Sequence, residues 1–142
     1  PFWEVGKDYK HGTGHGVGYV LNVHEGPNAF RWQKTPGRNE AARLEEGMIT
    51  TDEPGIYIEG KYGIRTESEL ITRKGEKNEF GQFMYFENIT YVPIDLDAID
   101  PEQMTSVERQ RLNDYHAMVY KKMAPLLNEE EAAFLKEYTR AI

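Results

Sequence analysis

The sequence predicts an α+β fold, an antiparallel sheet followed by a helical pair, and three observations predict it. From Met48 onward, short runs rich in Ile, Tyr and Thr alternate with turn residues, the pattern of paired strands. After Pro101 the spacing of apolar residues lengthens to the helical period. Residues 11–18, His-Gly-Thr-Gly-His-Gly-Val-Gly, hold four glycines, a density that suits tight turns and close backbone approach and no regular helix.

Taken in order, residues 19–25 read as a short strand, and the polar stretch 28–46, interrupted by Pro36-Gly37, as a loop. Strands are expected at Met48–Asp52, Ile56–Glu59 and Tyr62–Thr66, the last two paired as a hairpin around Glu59-Gly60-Lys61. Residues 67–72 prolong its second arm, 74–79 form a charged turn, and 82–86 and 89–94 are two further strands. Thr105-Ser106-Val107-Glu108 fits a capping box, and Leu112, Tyr115, Val119 and Met123 fall on one stripe, so a helix runs over about 106–124 and stops at Pro125. Asn128 followed by Glu131 starts a second helix with Phe134, Leu135, Tyr138 and Ile142 on its apolar side. No repeat or low-complexity tract is visible.

The 142 residues, 39% of them hydrophobic, suffice for one compact domain or one unit with a small appendage. Acidic residues exceed basic ones, 24 against 17, and the net charge of −7 argues against partners such as nucleic acid or an anionic membrane. The absence of cysteine excludes disulfides, thiolate zinc sites and cysteine nucleophiles, which leaves any metal to histidine and carboxylate. No stretch approaches the roughly 18–20 apolar residues of a membrane span. The opening Pro1-Phe2-Trp3-Glu4 has neither a basic nor an apolar signal region, and it reads as an excised segment whose upstream context has been removed.

Three of the four histidines, His11, His15 and His24, lie within 14 positions beside glycines that let a ligand come close. Each could instead cap a turn or satisfy a buried polar group. His116, alone on the tail helix, reads as a surface or interface residue without a chemical role. Glu53, in Thr-Asp-Glu-Pro-Gly, and Glu67, in Gly-Ile-Arg-Thr-Glu-Ser-Glu, occupy strand-like, otherwise apolar surroundings, where an ionised carboxylate calls for a cation or several donors. The bland alternative is a solvated carboxylate at a strand end. Asp52 and Glu69 alternate away from this pair, and Glu59 sits at the hairpin tip. One imidazole and two carboxylates make an N/O donor set for Mn(II), Co(II) or Zn(II), and two such ions can activate a water and clamp a carbonyl. The residues alone point to a metal-dependent hydrolase of unstated substrate.

These motifs resemble the pita-bread (M24-type) metallopeptidases, which include methionine aminopeptidase, prolidase and aminopeptidase P (Xaa-Pro aminopeptidase). The resemblance is closest to aminopeptidase P, through 11–18, Leu-Asn-Val-His-Glu-Gly-Pro at 21–27, Thr-Asp-Glu-Pro-Gly at 51–55 and Tyr-Gly-Ile-Arg-Thr-Glu at 62–67. It continues through Phe-Glu-Asn-Ile-Thr-Tyr-Val-Pro-Ile at 86–94 into a tail like the C-terminal extension of the three-domain members, and so covers nearly the whole chain. It implies the C-terminal part of a pita-bread fold, with a strongly bent antiparallel sheet, divided into a catalytic half at 1–78 and an extension at 79–142. It also implies metal ligands His15, Glu53 and Glu67, with Glu53 doubling as general base. His11 and His24 would donate to the scissile carbonyl, Arg65 would support a carboxylate, and Tyr57 would stand behind them.

The implied cofactor is a pair of divalent ions, manganese first among them, and the implied substrate a peptide with proline at its second position. The protein is expected to be cytoplasmic. Two aspartates that the family's dinuclear site takes from earlier strands have no counterpart here, and Asp8 does not stand at a matching position. The segment is therefore expected to need the upstream half of its chain as a partner and to be inactive alone. Prolidase specificity, a metal-free peptide- or protein-binding module, and a homodimer formed through the aromatic-rich 79–142 remain as alternative or additional readings.

Overall fold

The computed structural model describes residues 2–20, 22–34, 36–37 and 42–142. Its described strands pair antiparallel throughout and two helices follow them, an α+β arrangement. Two compact units divide at Thr90/Tyr91. The division expected after residue 78 falls instead within the turn that joins two paired strands.

In the first unit, β1 (Gly14–His15) pairs with β2 (Ala29–Phe30). Strand β3 (Ile49–Asp52) pairs with β6 (Ser68–Asn78), which pairs with β7 (Gly81–Asn88). The hairpin of β4 (Gly55–Ile58) and β5 (Tyr62–Arg65) forms as expected, closed by Lys61 N–H donating to the Ile58 carbonyl at 3.0 Å with Gly60 at φ +69°. Among the described residues the buried side chains here are polar, Asn28, Thr50, Thr51 and Thr72, with Gly14, Gly16 and Gly55 buried beside them. Asn28 Nδ2 donates to the Thr50 hydroxyl and, at 3.2 Å, to the Ile49 carbonyl, tying the loop after β1 to β3.

Several expected elements differ. The described residues of 19–25 form no strand; Gly18 N–H donates to the Asn22 carbonyl and Glu25 N–H to the Gly16 carbonyl, both at 2.9 Å, so the chain doubles back. Of the 28–46 loop, residues 35 and 38–41 lie outside the described residues, as does Leu21. Residues 67–72 do not prolong the β4–β5 hairpin, because from Ser68 the chain joins β3. The charged run 74–79 is mostly strand: β6 continues to Asn78, and its exposed side chains find partners in water and across strands, as Arg73 does with Glu87 at 2.8 Å. The strand expected at 89–94 is absent; the Asn88 side chain accepts Thr90 N–H at 2.8 Å, and Pro93 has no N–H to offer a ladder.

The second unit, 91–142, holds α1 (Ser106–Met123) and α2 (Glu129–Tyr138), each opened by the expected capping box, Thr105 with Glu108 and Asn128 with Glu131. Pro125 falls in the 3-10 turn that succeeds α1. Its apolar core is Leu96, Leu112 and Val119. His116 is not on the surface as expected but fully buried, one turn after Leu112, with Nε2 accepting Ile94 N–H at 3.0 Å. Burial lowers its pKa, and backbone hydrogen bonding at Arg140 and Ile94 opposes that only in part. The Asn113 side chain exchanges two hydrogen bonds with the Ile142 backbone, at 3.0 and 2.9 Å, and so fastens the chain after α2 to α1. Among the described residues no helix is long and apolar enough to cross a membrane.

Candidate active site

Strand β1 runs between β2 and β3, and glycine is what lets it. A Cβ on Gly14 would lie 2.0 Å from the Thr51 carbonyl oxygen and 2.8 Å from the Phe30 ring, closer than packed atoms can stand. The backbone is fastened on both sides: Thr13 N–H and Gly16 N–H donate to the carbonyls of Phe30 and Asn28 at 2.8 and 2.9 Å, and Glu53 N–H donates to the Thr13 carbonyl at 2.7 Å. His15 on β1 thereby comes to face Glu53, one residue past β3.

Thr51 locks the pair. Its hydroxyl accepts His15 N–H and donates to Glu53 Oε1, both at 3.0 Å, at a position only 3% exposed. His15 Nδ1 lies 3.0 Å from the Gly16 carbonyl, and Nε2 is the nitrogen left to the cleft. Nε2 stands 3.0 Å from Glu53 Oε1. Two acceptors cannot face each other this closely, so the gap suits either an Nε2–H that donates to the carboxylate or a cation held by both.

Arg65, at the end of β5, joins the second carboxylate to the first. Its Nε is 2.9 Å from Glu67 Oε2 and 4.0 Å from Glu53 Oε2. The Tyr57 hydroxyl, accepting from Arg65 at 3.4 Å, and the charge of Glu67 raise the guanidinium pKa further. The Tyr57 ring meets the His11 ring edge-on at 5.5 Å between centroids. Both ring nitrogens of His11 face backbone carbonyls, Nδ1 that of Gly12 at 2.6 Å and Nε2 that of Gly55 at 3.3 Å. His24 is exposed, its ring 4.2 Å from that of His15.

The structure thus brings His11, His15, His24, Glu53, Tyr57 and Arg65 to one open cleft of about 400 Å³. Glu67 is not on its lining; it is 38% exposed, not in apolar surroundings as expected, and its charge is met by Arg65. His15 and Glu53 fit a metal by donor type and approach. They do not complete a site: among the described residues no group of three His, Asp or Glu stands close enough to hold an ion. Asp8 lies elsewhere, in an aromatic cavity of about 500 Å³ formed by Phe2, Trp3, Tyr9, Trp32 and Pro54, where the Trp3 indole donates to it at 2.9 Å and lowers its pKa. Sequence reasoning missed Thr51, although its two-residue offset from Glu53 on one strand face was a usable signal. It also missed Arg31, which lines the cleft and carries no motif of its own.

Residues 2–74 match the family model described as metallopeptidase family M24, and residues 82–142 that of the C-terminal region of peptidase M24. A Coprinopsis cinerea protein named "Probable Xaa-Pro aminopeptidase P" is 42% identical over 145 residues, covering 99% of this chain and 23% of its own. Aminopeptidase P1 of Arabidopsis thaliana is 40% identical, covering 100% of this chain and 22% of its own. A solved X-prolyl aminopeptidase from Caenorhabditis elegans, described as a cytosolic enzyme with a di-nuclear active site, superposes with a TM-score of 0.83 at 36% identity, over 99% of this chain and 23% of that one. The chain spans less than a quarter of the length of these relatives.

Proposed function

Because this chain belongs to metallopeptidase family M24, we propose that it forms the histidine and glutamate half of a dinuclear aminopeptidase site that releases the residue in front of a proline. One observation carries the reading: His15 Nε2 and Glu53 Oε1 face each other at 3.0 Å, with Arg65 linking Glu53 to Glu67 beside them. His15, Glu53 and Glu67 are the donors assigned to the two ions, further ligands coming from other parts of the full-length protein. Their N/O character suits Mn(II), Co(II) and Zn(II) alike, and we take Mn(II) first among them. When bound, the ions supply Lewis acidity toward a water and toward the scissile carbonyl.

This chain's own residues do the rest. Glu53 Oε2, the oxygen that Thr51 does not hold, takes the proton of the attacking water and returns it to the leaving proline nitrogen. His24, exposed at the cleft, donates to the carbonyl oxygen, and His11 joins it by releasing the Gly55 carbonyl from Nε2. Arg65 positions Glu67, and Tyr57 positions Arg65. In functional terms residues 1–78 are the catalytic half and 79–142 an extension. The described residues alone bring too few donors together for activity.

Replacing Glu67 with Gln in the full-length protein tests the assignment by elemental analysis and turnover of a tripeptide Xaa-Pro-Xaa. Metal occupancy and turnover fall together if Glu67 is a ligand; full activity at full metal load overturns the role. Hydrolysis of Xaa-Pro dipeptides alone would replace this specificity with that of a prolidase. We also place the protein in the cytoplasm and assign self-association to the extension, whose Leu126, Phe134 and Tyr138 are exposed. A monomer in sedimentation at micromolar concentration removes the latter.

A further inference from the structure

His24 stands on an exposed stretch of chain, yet the bonds that place it run inward to a buried amide. Asn28 is 6% exposed and directly precedes β2. Its carbonyl accepts Gly16 N–H at 2.9 Å, which adds a rung to the β1–β2 ladder beyond His15 and Ala29. The Gly16 carbonyl in turn accepts Glu25 N–H, also at 2.9 Å, and Glu25 is the residue after His24. The chain between Gly16 and Asn28 is thus closed twice at its base, and His24 leaves that base beside the inner closure. Its ring centroid lies 4.2 Å from that of His15.

The Asn28 side chain anchors the base to β3. Nδ2 donates to the Thr50 hydroxyl and, at 3.2 Å, to the Ile49 carbonyl, which also accepts Val17 N–H at 3.3 Å. At the same place Gly16 forms a bridge with Thr50. The packing leaves no slack: a Cβ on Gly16 would strike the Glu25 carbonyl oxygen and stand 2.6 Å from Asn28 Oδ1. His15 has fastenings of its own, since the Thr51 hydroxyl holds its N–H at 3.0 Å and Thr13 N–H ties β1 to Phe30. Loss of the Asn28 amide would therefore shift the turn that bears His24 and leave His15 in place. A displacement of about 1 Å at a group that meets the reacting atoms costs about 100-fold in rate.

We propose that Asn28 is a positioning residue that sets His24 over the cleft through the Gly16 carbonyl. The inference rests on the reading above, in which His24 donates to the scissile carbonyl, and adds the residue that aims this donor. Asn28 touches neither substrate nor ion in this role; it acts through the backbone it holds.

The test uses the metal-loaded full-length enzyme on Ala-Pro-Ala, with Asn28→Ala, His24→Ala and the double variant. A donor aimed at charge that develops in the transition state acts on kcat, so Asn28→Ala should lower kcat about 10- to 100-fold with little change in KM. Metal content after dialysis should stay at the wild-type level, because His15 keeps its own fastenings. In the His24→Ala background the same substitution should lower kcat by no more than about twofold, since no donor is left to aim. A folding defect alone would cut both backgrounds by the same factor. Thr50→Val keeps the β-branched shape and removes only the oxygen that Asn28 holds, so it should repeat the pattern at smaller size even if Asn28→Ala fails to fold. Equal losses in the two backgrounds, wild-type kcat in the single variants at Asn28 and Thr50, or metal loss in Asn28→Ala overturns the positioning of His24 and leaves the Xaa-Pro reading standing. A His24→Ala enzyme with wild-type kcat overturns the donor role of His24 and the role of Asn28 with it. Failure of metal-loaded wild type to cleave Ala-Pro-Ala overturns the parent reading itself.

Discussion

Thr51→Val removes a single oxygen and keeps the β-branched shape that its strand requires, so its effect isolates the hydroxyl that couples His15 to Glu53. Two hydrogen bonds of 3.0 Å disappear. The one donated to a carboxylate contributes about 1.5–3 kcal/mol, and the His15 N–H left without an acceptor adds about 1–3 kcal/mol. Water reaches the pair in part, since the His15 and Glu53 side chains are 17% and 18% exposed, which brings the expected loss to about 2–4 kcal/mol. The consequence for metal retention should be as clear, because freeing the groups that orient a ligand lowers affinity about 10- to 100-fold. In the full-length protein the assay is a thermal midpoint together with metal content after dialysis, for Thr51→Val, Glu53→Gln and the double variant. If Thr51 acts through Glu53, the double variant loses less than the sum of the singles by at least about 0.5 kcal/mol. Thr51→Ser should stay near wild type. Strict additivity, or a Thr51→Val protein with wild-type stability and metal content, refutes the reasoning.

Other expected outcomes follow from the same geometry. Gly14→Ala pushes a methyl against the Thr51 carbonyl and should cost about 1–3 kcal/mol or more, read as a lowered unfolding midpoint together with lost turnover. Val119→Ala, at a position with no exposure, should destabilise the second unit by about 1–3 kcal/mol in denaturant titration with activity per folded molecule retained. His116 has a folded pKa below its ordinary 6.5, so the unfolded chain binds the extra proton first as pH falls. The stability it contributes is complete above pH 6.5 and declines as pH drops from there through the lowered value. His116→Gln, which keeps an acceptor for Ile94 N–H, should flatten that part of the melting temperature profile between pH 7.5 and 5, and an unchanged profile would count against the burial argument.

What the sequence revealed and what it hid divide along a physical line. Features decided within a few residues were legible: both capping boxes, where a side chain answers the backbone three positions away, and the β4–β5 hairpin, where Gly60 accepts the positive φ of its turn. Features decided across the sheet were not. The run Lys74–Asn78 has poor strand propensity, yet the ladder to β7 carries it because an exposed hairpin arm leaves its charges in water. His116 shows the same limit in a helix: the stripe of Leu112 and Val119 passes through it, but backbone groups from outside α1, the Ile94 N–H among them, make its burial tolerable.

The site follows the same rule. His15 and Glu53, which the structure brings together, were nameable as candidates because residue type alone marks a possible metal donor; Glu67 carried the same mark, yet it stands off the cleft lining beside Arg65. Thr51 and Arg31 have no such mark; a threonine in a strand and an arginine after one are ordinary until β1 is laid between β2 and β3. That placement in turn depends on Gly14 having no side chain, since any Cβ there would collide with the Thr51 carbonyl and part the strands that bear His15 and Glu53. The glycines of residues 11–18 are therefore as much a part of the candidate site as its histidines: the imidazole supplies the lone pair, and the missing methyl on the residue before it brings that lone pair within 3.0 Å of a carboxylate.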